Sequence, residues 1–171
     1  MRAGRMRLAF ILAGLLLLAA DQLTKALALD GLSGRGVIEI TSFFNLVLVW
    51  NTGVSFGMFS GSGDLGRWAL VAVALAVGIG LSVWFLRERR NLPRVCITLI
   101  LAGAVGNVID RVRYGAVVDF LDFHAKGYHW PAFNIADCAI VVGAFLLLMD
   151  GLFFSEETPD EKQVKQDAAH D

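Results

Sequence analysis

Four long apolar stretches set the plan of the chain, and the segments between them differ from one another in kind. Leu8–Ala20 is thirteen residues without a polar side chain. Apolar character then continues past Asp21, Gln22, Thr24 and Lys25 to about Leu29. Trp68–Leu86 is nineteen residues without a charge, long enough to cross a hydrocarbon layer of ~30 Å. Arg87-Glu88-Arg89-Arg90 closes it, and a third stretch runs from about Leu92 to Arg113, a fourth from Asn134 to Phe154. The pattern predicts transmembrane helices over about 8–29, 68–86, 92–113 and 134–154. With Arg2, Arg5 and Arg7 ahead of it and Leu18-Ala19-Ala20 behind, the first stretch also has the form of a cleavable signal peptide. The later spans need an insertion start, so its retention as a span is the expectation.

The segment at about 31–66 is glycine-rich, and its Val37–Ile40 and Phe43–Trp50 carry the branched and aromatic residues of strands. A small extracytoplasmic β-sheet packed on the outer membrane surface follows, with Phe43, Phe44, Trp50, Phe56 and Phe59 near the headgroups. Gly61-Ser62-Gly63-Asp64 reads as a turn. Ser155–Asp171 is charged and lacks an apolar period, which predicts a disordered cytoplasmic tail. The fold class expected is therefore an all-α polytopic membrane protein, one four-span domain over 1–154 with the outer β region inserted.

Composition agrees. The 171 residues are 56% hydrophobic, with a mean hydropathy of +0.61. A net charge of -1 with no concentrated basic face gives no reason to expect nucleic acid. Cys96 and Cys138 both lie in apolar runs and read as buried thiols. Basic residues fix the orientation: three arginines precede the first span, and Arg87, Arg89, Arg90 and Arg94 lie between the second and third. Under the positive-inside rule both termini are cytoplasmic. No internal repeat is visible, and there are no paired broken helices of the transporter type.

The chemistry lies in polar residues that interrupt these spans. Ionisable groups inside a membrane are costly, roughly 2.5–3.5 kcal/mol each on insertion scales, and are functional candidates by default. At a rise of ~1.5 Å per residue, Asp21 sits ~20 Å above Leu8 and Asn107 ~22 Å above Leu92. Asp110 lies ~27 Å above Leu92, and Asp137 ~25 Å above Phe154. Asp119 falls in the short outer connection between the third and fourth spans. Several stretches thus bring polar groups to one level near the outer boundary. Each also has a plainer reading. Asn134 with Asp137 can cap the fourth helix; Asp21 and Lys25, four apart, can be a self-neutralising pair. Asn107, Asp110 and Arg111 can be interhelical glue, the reading preferred for Asp110 and Arg111, and Gly103 and Gly106 can serve close helix approach. His124 and His129 with Asp122 suggest a metal, but without a helical ligand motif, in a loop holding Gly127 and Pro131, no metal site is expected.

Taken in order, Asp21-Gln22-Leu23-Thr24-Lys25, Asn51-Thr52-Gly53-Val54-Ser55-Phe56, Gly106-Asn107-Val108-Ile109-Asp110-Arg111, Val118-Asp119-Phe120 and Phe133-Asn134-Ile135-Ala136-Asp137 resemble the lipoprotein signal peptidase (signal peptidase II) family. The likeness covers about Leu8 to Phe154. Val54 stands where alanine is common and Ala102 where a glycine often precedes Gly103, both mild departures. The resemblance implies an aspartyl endopeptidase of the bacterial inner membrane, its active site near the outer face. It cuts diacylglyceryl-modified prolipoproteins just before the lipidated cysteine. It maps the catalytic pair onto Asp119 and Asp137, and the substrate-binding or supporting positions onto Asp21, Lys25, Asn51, Gly53, Asn107, Asp110, Arg111, Asn134 and Ala136. It further implies no cofactor, contact with membrane lipid, inhibition by globomycin-type cyclic peptides and a monomeric enzyme.

Amide hydrolysis needs an activated water and a proton for the leaving nitrogen, and two close carboxylates sharing one proton supply both. The rivals are a serine–lysine peptidase using Ser55 and Lys25, a small proton-coupled transporter using the carboxylates as a relay, and a non-catalytic assembly factor.

Overall fold

The computed structural model describes residues 2–53 and 63–153. Among them, four helices are long and apolar enough to cross a membrane. They are α1 (Arg2–Leu32), α2 (Gly63–Arg87), α3 (Asn91–Tyr114) and α4 (Ile135–Phe153). α3 is the hub: it touches each of the other three helices. Of its apolar stretch 44% is buried, against 6% for α1. Glycines let this happen. A Cβ at Gly103 would run into the Ala136 carbonyl, and one at Gly143 would come within 2.7 Å of the Cys96 carbonyl, so α3 and α4 meet backbone to backbone. Cys96 is fully buried, Cys138 partly, and both are free thiols.

A four-stranded antiparallel sheet of order β1-β2-β3-β4 covers one end of the bundle. β1 (Ile38–Thr41) and β2 (Phe44–Asn51) come from the segment between α1 and α2, β3 (Val117–Ala125) and β4 (Tyr128–His129) from that between α3 and α4. The second pair corrects the sequence reading, which left Asp119 in a short connection and the histidines in a loop. The reason is burial: Val117–Phe120 is buried on both faces, so the two-residue alternation that betrays a strand is missing. Lys126 and Gly127 both have positive φ (50° and 81°), the signature of a tight two-residue hairpin turn. Phe120 packs with Ala28 and Leu32 of α1 to seat the sheet on the helices. Phe43, Trp50, Tyr128 and Trp130 remain exposed, as side chains at a headgroup boundary do.

At the other end, Arg90 pairs with the buried Asp150 of α4 (2.7 Å), and the buried Arg94 donates to the Glu88 carbonyl. Neither contact follows from the sequence, in which the spacer arginines mark only a charged flank. Val54, Ser55, Phe56, Phe59, Gly61 and Ser62 of the expected turn, and the tail from Ser155 lie outside the described residues. Gly63 and Asp64 belong to α2.

Candidate active site

One buried ammonium group ties the bundle to the sheet. Lys25 Nζ lies 2.9 Å from Asp21 Oδ2 and 2.8 Å from Asp110 Oδ2. All three residues are no more than 2% exposed. A pair so buried survives only if its remaining lone pairs are met, and here they are. Asp21 Oδ1 accepts from the Ala136 amide of α4 (2.9 Å), Asp110 Oδ2 from the Val118 amide of β3 (3.2 Å). Gln22 Nε2 donates to Asp21 Oδ2 (3.2 Å), Asp110 Oδ1 (3.1 Å) and the Gly106 carbonyl (3.3 Å). The Asp21–Lys25 pair expected from its spacing is present, but it is half of a larger knot. Gly106 does more than admit a helix: a Cβ there would sit 2.5 Å from Asp21 Oδ2. Gln22 stands in a motif of the sequence but is not among the predicted site residues, since one amide in a span gives no sign of where its two protons go.

The ammonium also reaches the second cluster. Lys25 Nζ donates to Asn107 Oδ1 (3.1 Å), which turns the Asn107 amide nitrogen toward Asp137 Oδ1 (2.8 Å). Asn51 Nδ2, from the end of β2, donates to Asp119 Oδ2 (2.9 Å). Asn134 joins the two carboxylates. Its Nδ2 donates to Asp119 Oδ1 (2.7 Å), its Oδ1 accepts from the Asp137 amide (2.9 Å), and its own amide donates to Asp137 Oδ2 (3.3 Å). The last two bonds are a reciprocal helix cap. The capping reading and the paired-carboxylate geometry are therefore the same arrangement. Phe133 makes it possible, pairing with Leu121 of β3 (Leu121 N to Phe133 O 2.9 Å, Phe133 N to Leu121 O 3.1 Å) and so delivering Asn134 beside Asp119.

Asp119 is buried while Asp137 is half-buried, so the pair has one open side. Burial first, then the neighbouring Asp137 charge, push the Asp119 carboxyl from its ordinary value near 3.8 up to about 7. The bonds from Asn51 and Asn134 and the Lys25 charge oppose this. Arg111 Nη2 donates to the Gly53 carbonyl (2.8 Å), and the Gly53 amide donates to Asn51 Oδ1 (3.1 Å), so α3 holds the chain leaving β2. The site positions that the resemblance maps onto this chain thus lie in one connected network. His129 stands apart: its Nδ1 is 2.9 Å from both Asp122 oxygens, and Asn45 donates to Asp122 Oδ2 (3.0 Å), a lock on the far end of the sheet.

Comparison with known proteins gives the family of the chain. The family model described as Signal peptidase (SPase) II matches residues 11–153. A protein named lipoprotein signal peptidase from Rhodopseudomonas palustris (strain TIE-1) is 47% identical over 83% of this chain and 90% of its own length. One of the same name from Ralstonia nicotianae is 46% identical, covering 81% of each. Two solved structures, both described as bacterial membrane enzymes, superpose with TM-scores of 0.76 and 0.75 at 30% and 31% identity. They cover 88% and 86% of this chain, and 93% and 94% of theirs. With nearly the whole membrane domain matched in sequence and in fold, the chain belongs to the signal peptidase II family.

Proposed function

We propose that this protein is a lipoprotein signal peptidase of the bacterial inner membrane that works as an aspartyl endopeptidase, cutting before the diacylglyceryl-modified cysteine of its substrates. The observation that carries the mechanism is Asn134 bridging Asp119 and Asp137. Two carboxylates within reach of one carboxamide repel as ions and together retain a proton. The ionised member takes a proton from water, while the protonated member polarises the scissile carbonyl and then supplies the leaving amine. Asn107 and Asn51 fix the outer oxygens of the pair, and Lys25 fixes Asn107. The same reading places the sheet at the outer membrane surface, the arginine-rich end and both termini in the cytoplasm, and the half-buried Asp137 toward incoming substrate or a globomycin-type inhibitor.

The test is a gel-shift assay with a purified diacylated precursor. Asp119→Asn is expected to leave the precursor uncut while the protein still melts cooperatively in detergent. Normal cleavage by that variant would remove the pair from the mechanism. The serine–lysine alternative is disfavoured because Lys25 is enclosed by Asp21, Asp110 and Asn107; Ser55→Ala is expected to retain activity.

A further inference from the structure

On the side of α3 away from the carboxylates lies an apolar groove of about 380 Å³ between α1 and α2. Ile11, Leu15 and Leu18 form one wall, Phe85 and Leu86 the other, and Thr98, Leu101 and Val105 of α3 the floor. Asn107 lies about 180° round α3 from Thr98 and about 200° from Val105, at 3.6 residues per turn. The groove therefore opens on lipid where the paired carboxylates do not.

Its Phe85–Leu86 end borders a basic part of the bundle. Phe10 meets Phe85 edge-on (6.3 Å, 89°), and Arg7 Nη2 donates to the Leu86 carbonyl (2.9 Å). Arg7 is half-buried and its Nε is enclosed without a hydrogen-bond partner. No carboxylate among the described residues pairs with it. Arg5, Arg87 and Arg89 are exposed at the same end. Glu88 is occupied by the Trp84 indole and the amides of Arg89 and Arg90. From Arg7 to Leu18 the helix rises ~16 Å, about the depth of one leaflet of a ~30 Å layer.

We propose that this groove is a binding site for an anionic phospholipid of the leaflet at the arginine end. One acyl chain lies along Ile11–Leu18 against α3, and the phosphate satisfies the Arg7 guanidinium. A planar guanidinium whose Nη hydrogens beyond the one given to Leu86 meet no carboxylate among the described residues matches phosphate geometry, and basic pockets between transmembrane helices select anionic headgroups. A substrate acyl chain is a poorer occupant, since cleavage chemistry lies at the opposite end and on the opposite side of α3.

The test is native mass spectrometry of the delipidated full chain titrated with phosphatidylglycerol or phosphatidylcholine of identical acyl chains. Wild type is expected to hold one phosphatidylglycerol at least ten-fold more tightly than phosphatidylcholine. Arg7→Gln should bring the two within two-fold, and Val105→Trp, which fills the groove, should weaken both; Leu15→Trp replaces it if that variant fails to melt cooperatively. Equal wild-type affinities, a preference that survives Arg7→Gln, or displacement of the bound phospholipid by a diacylglyceryl peptide would each overturn the assignment.

Discussion

Two buried acidic clusters lie side by side in this molecule, joined through Asn107, and they are neutralised in opposite ways. Asp21 and Asp110 share an ammonium group, and every remaining oxygen contact is a backbone or glutamine proton. Asp119 and Asp137 have carboxamides instead: Asn51, Asn107 and Asn134. An amide donates a hydrogen bond but brings no net positive charge, so it cannot cancel the repulsion between two carboxylates. The first cluster has a positive charge in direct contact with both carboxylates. The second has none in contact, and burial with the neighbouring charge raises the Asp119 carboxyl to about 7, the range that the proposed acid–base role needs. Lys25 is common to both, binding the first pair directly and reaching the second only through Asn107.

The division is broken most sharply by exchanging one aspartate from each cluster. Asp119→Asn is expected to lower turnover by roughly 10²–10⁴-fold, the scale of acid–base catalysis, with no loss in the melting midpoint. Asp110→Asn should instead lower the midpoint and the activity together. Equal effects of the two on midpoint and rate would mean the clusters are not functionally distinct. Next in size, Lys25→Met leaves two buried carboxylates without a counter-ion and is expected to destabilise the fold by about 3–5 kcal/mol, read as an earlier chemical unfolding midpoint in detergent. Gly106→Ala, whose Cβ would sit 2.5 Å from Asp21 Oδ2, should cost about 1–3 kcal/mol by overpacking. A fully stable Gly106→Ala variant would show that the first cluster has slack.

The smallest effects are in pH dependence. With Asp119 at about 7, cleavage should fall as pH rises through neutrality and the shared proton is lost. Asn51 lowers the Asp119 pKa, so Asn51→Ala should move that falling limb to higher pH. The sign for stability follows. The folded Asp119 binds its proton more tightly than the unfolded chain does, so its contribution declines between pH 3.8 and about 7 as pH rises. Asp119→Asn should flatten that part of the stability profile, which denaturant titrations at pH 5 and pH 8 would read.

Apolar run lengths and flanking arginines were enough to find the four helices, because a membrane span is specified by composition along the chain. The first two strands were legible for a similar reason, in Ile38–Thr41 and Phe44–Asn51. β3 was not, since a strand buried on both faces loses its alternation and Asp119 and Asp122 make it look like a loop. In the site, depth counting brought Asp21, Asn107, Asp110 and Asp137 to one level, but it carried no information on which amide proton meets which oxygen. Gln22 was therefore missed, as was the link from Lys25 through Asn107. The Arg90–Asp150 pair, 60 residues apart, leaves no local trace at all.

The return of Phe133 onto β3 has a consequence for the life of the protein before it is complete. Asn134 and Asp137 reach Asp119 only when that return has been made and the last helix is seated against α3. If these carboxylates do the cutting, a growing chain with three helices already inserted is inert. With that role for the pair, the peptidase would stay silent during its own biogenesis and switch on when its final segment docks.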